Sequence, residues 1–152
     1  MPINNSQIKI SPLDVNQNAA IGVAFPFNDP GVFKQTYTFT EQVKSDLINL
    51  ILTRRGERVN EPNFGVGLQY LLFENNVDVE QLKTQISNQI DIFIPDVDLI
   101  AVEALPIDED YRLYLKITYK FKYNNKLDAI ALQLRDPDNI GDPTLQENLN
   151  PY

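Results

Sequence analysis

Apolar positions along the chain fall into two stripes of helical period followed by three runs suited to strands. Between residues 40 and 55, Val43, Leu47, Leu50 and Ile51 recur at i, i+4, i+7 and i+8, with Ile48 and Leu52 beside them. That spacing gives a helix one buried face. Thr38 and Glu41 stand at capping-box separation before it. The helix is expected to run through Arg54 and Arg55, whose charges suit a last turn, and to stop at Gly56. A second stripe, Val79, Leu82, Ile86, Ile90 and Phe93, predicts a helix over 78–93, capped by Asp78 and ended by Pro95.

Strand patterns follow. The first run spans Val97 to Leu105, and the turn-like Pro106 to Asp110 separates it from the second. From Tyr111 to Tyr123 the alternation is unbroken. Tyr111, Leu113, Leu115, Ile117, Tyr119, Phe121 and Tyr123 share one face, and Arg112, Tyr114, Lys116, Thr118, Lys120 and Lys122 share the other. This is the signature of a half-buried antiparallel strand. Asn124-Asn125 turns the chain into a third strand, Leu127 to Leu134.

The remaining segments resemble connections. Residues 1–20, rich in Asn, Gln, Ser and Pro, read as an N-terminal arm, with Ile8, Ile10, Leu13 and Val15 available to a partner. Residues 21–39 mix turn-forming Gly and Pro with five aromatic rings, and 56–76 form a turn-rich link. Residues 135–152 read as a polar C-terminal tail. A domain over 21–134 remains. Two helices followed by a run of strands define an α+β fold, in which the helices pack on a small antiparallel sheet of about three to five strands. The arm and tail extend from it. Such a sheet has at least one edge, and an edge offers unpaired N–H and C=O groups to another chain.

Composition narrows the chemistry. The 152 residues include no Cys and no His, which removes thiolate nucleophiles, disulfides, Cys/His zinc sites and any His-based triad. No cofactor or metal site is expected. A formal net charge of −8 opposes binding to phosphate backbones. No apolar run approaches the ~20 residues that span a bilayer, and the first residues lack the pattern of a signal peptide. A carboxylate-based glycosidase needs two acids flanking a cleft, with Glu57, Glu61 and Glu74 as candidates. Arg54, Arg55 and Arg58 would favour ionised carboxylates there, whereas a general acid must stay protonated. Asp136 to Asp142, with Glu147 beyond, has acids at several calcium-loop positions, but Ile140 offers no side-chain oxygen where a ligand is needed. The basic strand face of Arg112, Lys116, Lys120 and Lys122 suits either solvent or an acidic partner strand.

Three stretches carry a resemblance: Ile21-Gly22-Val23-Ala24-Phe25-Pro26-Phe27; Ile51 to Gly65, with its Gly56-Glu57-Arg58 and Pro62-Asn63-Phe64-Gly65; and Leu71-Leu72-Phe73-Glu74 before the second helix. Together they resemble the small baseplate wedge subunit of contractile phage tails, a family that includes the matching component of type VI secretion baseplates and sometimes bears a lysozyme-like label. The resemblance implies a non-enzymatic virion protein, assembled in the host cytoplasm and placed in several copies around the tail tube. Its implied partners are other wedge proteins, the tail sheath subunit and tube or hub proteins, with no nucleic acid and no membrane. Sheath arms would add strands to its sheet. Where the family commonly has Glu-Pro-Arg after the second helix, this chain has Ile94-Pro95-Asp96. The candidate interface residues are therefore Arg54, Arg55, Glu57, Arg58, Glu61, Phe64, Pro95, Asp96, Arg112, Lys116, Tyr119, Lys120 and Lys122. A strand-binding adaptor of another assembly is the alternative.

Overall fold

The computed structural model describes residues 12–16, 18–24, 34–68, 78–107 and 112–134. A 3-10 turn, Pro12–Val15, precedes a short antiparallel pair, β1 (Gly22–Val23) and β2 (Gln35–Thr36). Two helices follow, α1 (Phe39–Leu52) and α2 (Val79–Phe93), and then three strands, β3 (Val97–Ile107), β4 (Arg112–Phe121) and β5 (Leu127–Leu134). The three strands form an antiparallel meander in the order β3-β4-β5. The α+β architecture read from the periodicities is the one observed, and the small β1-β2 pair is an addition to it.

Both helix starts follow from local hydrogen bonding. Thr38 and Glu41 form a complete capping box at α1. The Glu41 carboxylate is held below its ordinary range chiefly by the Tyr37 N–H; burial opposes this, and hydrogen bonds from Thr38 add to the lowering. A depressed carboxylate contributes stability above its unfolded pKa, and that contribution is lost as pH falls through the lowered value. The Phe39 N–H donates to Asp14 Oδ1 at 2.6 Å, so the arm segment supplies a second carboxylate to the same helix end. At α2, Asp78 accepts from the N–H groups of Glu80 and Gln81.

The helix end differs from expectation. Helix α1 stops at Leu52, with Thr53 in an extended conformation. The Thr53 N–H and hydroxyl both bond the Asn49 carbonyl, at 3.0 and 2.6 Å, which closes the last turn before Arg54. Arg54 and Arg55 thus belong to the following loop. Strand β3 also runs two residues further than predicted, through Pro106 and Ile107.

Packing concentrates on one side of β4. Leu115, Ile117, Tyr119 and Phe121 are all completely buried. Against them lie Val43, Leu47, Leu50 and Ile51 of α1 and Leu82, Ile86 and Ile90 of α2. Phe39 and Tyr123 close one end around Phe121, with ring centroids 6.1 Å (Phe39–Phe121) and 5.7 Å (Phe121–Tyr123) apart. Each tilted or edge-on aromatic pair adds about 0.5–1.5 kcal/mol beyond area burial. Because Leu47 and Ile86 are fully enclosed, Leu47→Ala or Ile86→Ala should cost about 2–5 kcal/mol in a urea titration. Leu47→Asp should cost more, by burying an unpaired charge.

Candidate functional site

Three groups of predicted interface residues occupy three different places. The first is the loop after α1. The Gly56 N–H donates to the Pro62 carbonyl at 2.8 Å, the Phe64 N–H to the Glu61 carbonyl, and the Val66 N–H to Leu50 of α1. Glu57 Oε2 accepts from the Arg54 N–H, and Arg55 Nε donates to the Gly65 carbonyl. Arg58 pairs with Glu61 at 3.3 Å and stacks its guanidinium over the Phe64 ring, 3.6 Å from the centroid. Phe64 itself is a core residue, edge-on to Phe93 at 5.0 Å. It anchors the loop from inside, so the accessible interface candidates here are Arg54, Arg55, Glu57 and Glu61, with Arg58 half-buried.

A residue with no evident signal in the sequence holds this loop to α2. Gln89 is buried on the helix, accepts from the Gly65 N–H at 2.8 Å and donates to the Asn63 carbonyl at 3.1 Å. Gly65 has φ +109°, and a Cβ there would run into the Thr53 carbonyl, so the close turn requires glycine. At Gly22 of the N-terminal stretch a Cβ would overlap only the end of the Gln42 side chain, which would have to shift. Gln42 is fixed there by the Thr36 hydroxyl at 2.6 Å and by its own bond to Asp46 at 2.8 Å. Burial pushes the Asp46 carboxyl above its ordinary range, with Gln42 and Arg58 opposing.

The second place is the turn leaving α2. Pro95 and Asp96 are exposed, and the Asp96 carbonyl accepts the Lys122 N–H at 2.9 Å. Ile94 is buried in the core, so it serves packing.

The third is the sheet. Strand β4 lies between β3 and β5, so its backbone is paired on both sides and cannot receive another strand. Tyr119 points into the core and is fully buried, a correction to its reading as an interface residue. Its hydroxyl makes no hydrogen bond within the described residues. Burial, and secondarily the nearby Asp128 carboxylate, push its pKa up. Lys116, Lys120 and Lys122 lie on or beside the outer face but are not a free basic stripe. Lys116 pairs with Glu103 and Lys120 with Asp98, both at 3.8 Å, and Lys122 reaches Asp98 at 3.4 Å. Exposed pairs of this kind contribute about 0–1 kcal/mol each. Arg112 opens β4 opposite Ile107, with its side chain outside the described residues. Glu74, the acidic stretch 136–142 and, except for Leu68, the segment Leu68 to Phe73 expected as a short apolar turn also lie outside them. Among the described residues no group of three or more acidic side chains converges as metal ligands would. No helix there is long and apolar enough to cross a membrane.

A two-helix layer on a three-stranded meander, with a clamped loop between the helices, defines a small α+β domain. Residues 38–126 match the family described as baseplate wedge protein gp25, and the chain belongs to that family. It is 30% identical over 101 residues to baseplate wedge protein gp25 of Enterobacteria phage T4, covering 64% of this chain and 76% of that protein. A crystal structure from Geobacter sulfurreducens, described as a tail lysozyme, superposes with a TM-score of 0.56 at 23% identity, over 66% of this chain and 93% of that one. A chain of the anti-feeding prophage baseplate matches with a TM-score of 0.46 at 23% identity, over 73% and 81% of the two chains.

The loop clamp is testable by stability. Gln89→Leu strands the buried Gly65 N–H and should cost about 1–3 kcal/mol in chemical denaturation. Gly65→Ala should cost at least as much, because the Thr53 carbonyl must also move.

Proposed function

We propose that this chain is a structural wedge subunit that joins the baseplate around the tail tube and starts sheath growth by lending a sheet edge to sheath strands. Family membership supports the baseplate role. The observation that carries the templating role is the meander itself: three strands, helices over the inner face, and outer strands unpaired on one side among the described residues. Strand addition draws its affinity from main-chain hydrogen bonds and its specificity from alternate side chains, and a template of this shape offers both.

The clamped loop is the part that seats the subunit among the other wedge proteins. Its backbone is fixed by Gln89 and α1, so Glu57, Val59 and Glu61 present a rigid surface, with Val59 95% exposed at the tip. Preorganisation of this kind lowers the entropy lost on docking. The loop carboxylates serve structure and contact, not hydrolysis. Glu57 is committed to the Arg54 N–H and Glu61 to Arg58, and both are exposed rather than set in a water-excluding cleft.

Tails assembled without this chain, with the other baseplate, tube and sheath proteins supplied, should show tubes lacking ordered sheath by electron microscopy. Full-length sheath on such tails would reject the templating role. The purified chain should release no fragments from peptidoglycan; release that disappears in Glu57→Gln or Glu61→Gln would reject the non-enzymatic reading.

A further inference from the structure

Tyr119 carries the one buried polar side-chain atom among the described residues that has no hydrogen-bond partner. An orphaned hydroxyl in a core is costly, because it gives up water and gains nothing in return. The residues across the ladder decide what lies within its reach. On β3 the register partner of Tyr119 is Leu99, which has no polar side chain. On β5 it is Asp128. Directly opposed residues of an antiparallel pair share a face, so the Asp128 carboxylate stands on the inner side of the sheet, beside the tyrosine. Along β4 the neighbours on that face are Ile117 and Phe121, and the Phe121 ring is edge-on to Tyr119 at 5.4 Å. Among these neighbours only Asp128 can accept the hydroxyl proton.

The carboxylate is engaged on its other sides. Its Oδ1 accepts the Ala129 N–H at 2.9 Å, and its Oδ2 lies 3.4 Å from Lys44 Nζ on α1. The Ala129 N–H belongs to the outer side of the strand. The Phe121 N–H donates to the Lys126 carbonyl at 3.0 Å, and pairs along an antiparallel ladder alternate between bonded and non-bonded. By that count Asp128, Ile130 and Leu132 bond to β4, whereas Leu127, Ala129, Ala131 and Gln133 turn their backbone groups outward. The two donors that compete for Oδ1 therefore differ in what they have without it. Ala129 is exposed, so its N–H bonds water when the carboxylate leaves. The Tyr119 hydroxyl is closed off from water. A hydrogen bond from a buried donor to a charged group shifts a folding equilibrium by about tenfold or more, whereas a surface bond that replaces one to water shifts it little.

We infer that Asp128 is a two-position latch: its Oδ1 exchanges between the Ala129 N–H outside and the Tyr119 O–H inside, and the inward bond carries the larger share. A carboxylate accepts at both oxygens, so Lys44 holds Oδ2 in either position and the latch ties α1 to β4 through β5. Turning inward needs only a rotation of the Asp128 side chain, and it returns the Ala129 N–H to the outer side of the strand. The consequence for assembly rests on the strand-addition reading above: the outward position masks one edge donor of β5, and the inward position offers it. The exchange itself belongs to the isolated chain and does not depend on that reading.

In the full-length chain, Tyr119→Phe removes the hydroxyl and leaves the ring. In a urea titration the variant should lose about tenfold in its folding equilibrium constant. That loss should disappear when Asp128→Ala is already present. In residue-resolved hydrogen exchange, Tyr119→Phe should slow the Ala129 amide, because the carboxylate is left with that donor alone. Equal or higher stability of Tyr119→Phe means that the hydroxyl gains nothing from Asp128 and overturns the latch. A loss that persists with Asp128→Ala also overturns it, since the partner of the hydroxyl then lies elsewhere, as an internal water would. An Ala129 exchange rate unchanged by Tyr119→Phe overturns the exchange between the two donors. None of these results bears on strand addition, which the sheath experiment tests separately.

Discussion

The burial of one face of β4 governs the rest of the structure. Leu115, Ile117, Tyr119 and Phe121 have no exposed surface, so a slip of one residue would exchange them for Tyr114, Lys116, Thr118 and Lys120. The cost of burying two lysines locks the register against β3 and β5. The same lock decides which backbone groups of β5 face inward to the ladder and which face out. A packing constraint in the core therefore sets the chemistry of the edge.

The clamp around the loop works on the same principle at smaller scale. A buried polar group must be paired, and Gln89 meets that demand by bonding both Gly65 and Asn63. The loop in turn carries Arg58 over Phe64 and Phe64 onto Phe93. The loop after α1 is thus built into the fold by both helices, with Gly65 and Phe64 turned inward and its charges outward. This is why a motif that looks like a binding site is in large part architecture.

How much could be read beforehand follows the range of each interaction. The Thr38–Glu41 box, the Asp78 cap and the β5 boundaries were legible because each depends on neighbours in the chain. The end of α1 was misjudged because the bond of Thr53 back to Asn49 competes with the charge preference of Arg54 and Arg55. Asp14 at the start of α1 and Gln89 at the loop were missed because their partners are 25 and 24 residues away. Tyr119 was placed on the correct strand and face, but alternation gives no strand order, so it was weighed as an interface residue. The lysine stripe was read without the acids of β3 that lie beside it.

Residue-resolved amide hydrogen exchange on the isolated chain tests the central claim most directly. Slow exchange at Asp128, Ile130 and Leu132 should alternate with fast exchange at Leu127, Ala131 and Gln133, while Ala129 falls between because of the Asp128 carboxylate. Uniform protection along β5 would mean that the edge is already occupied and would contradict the account.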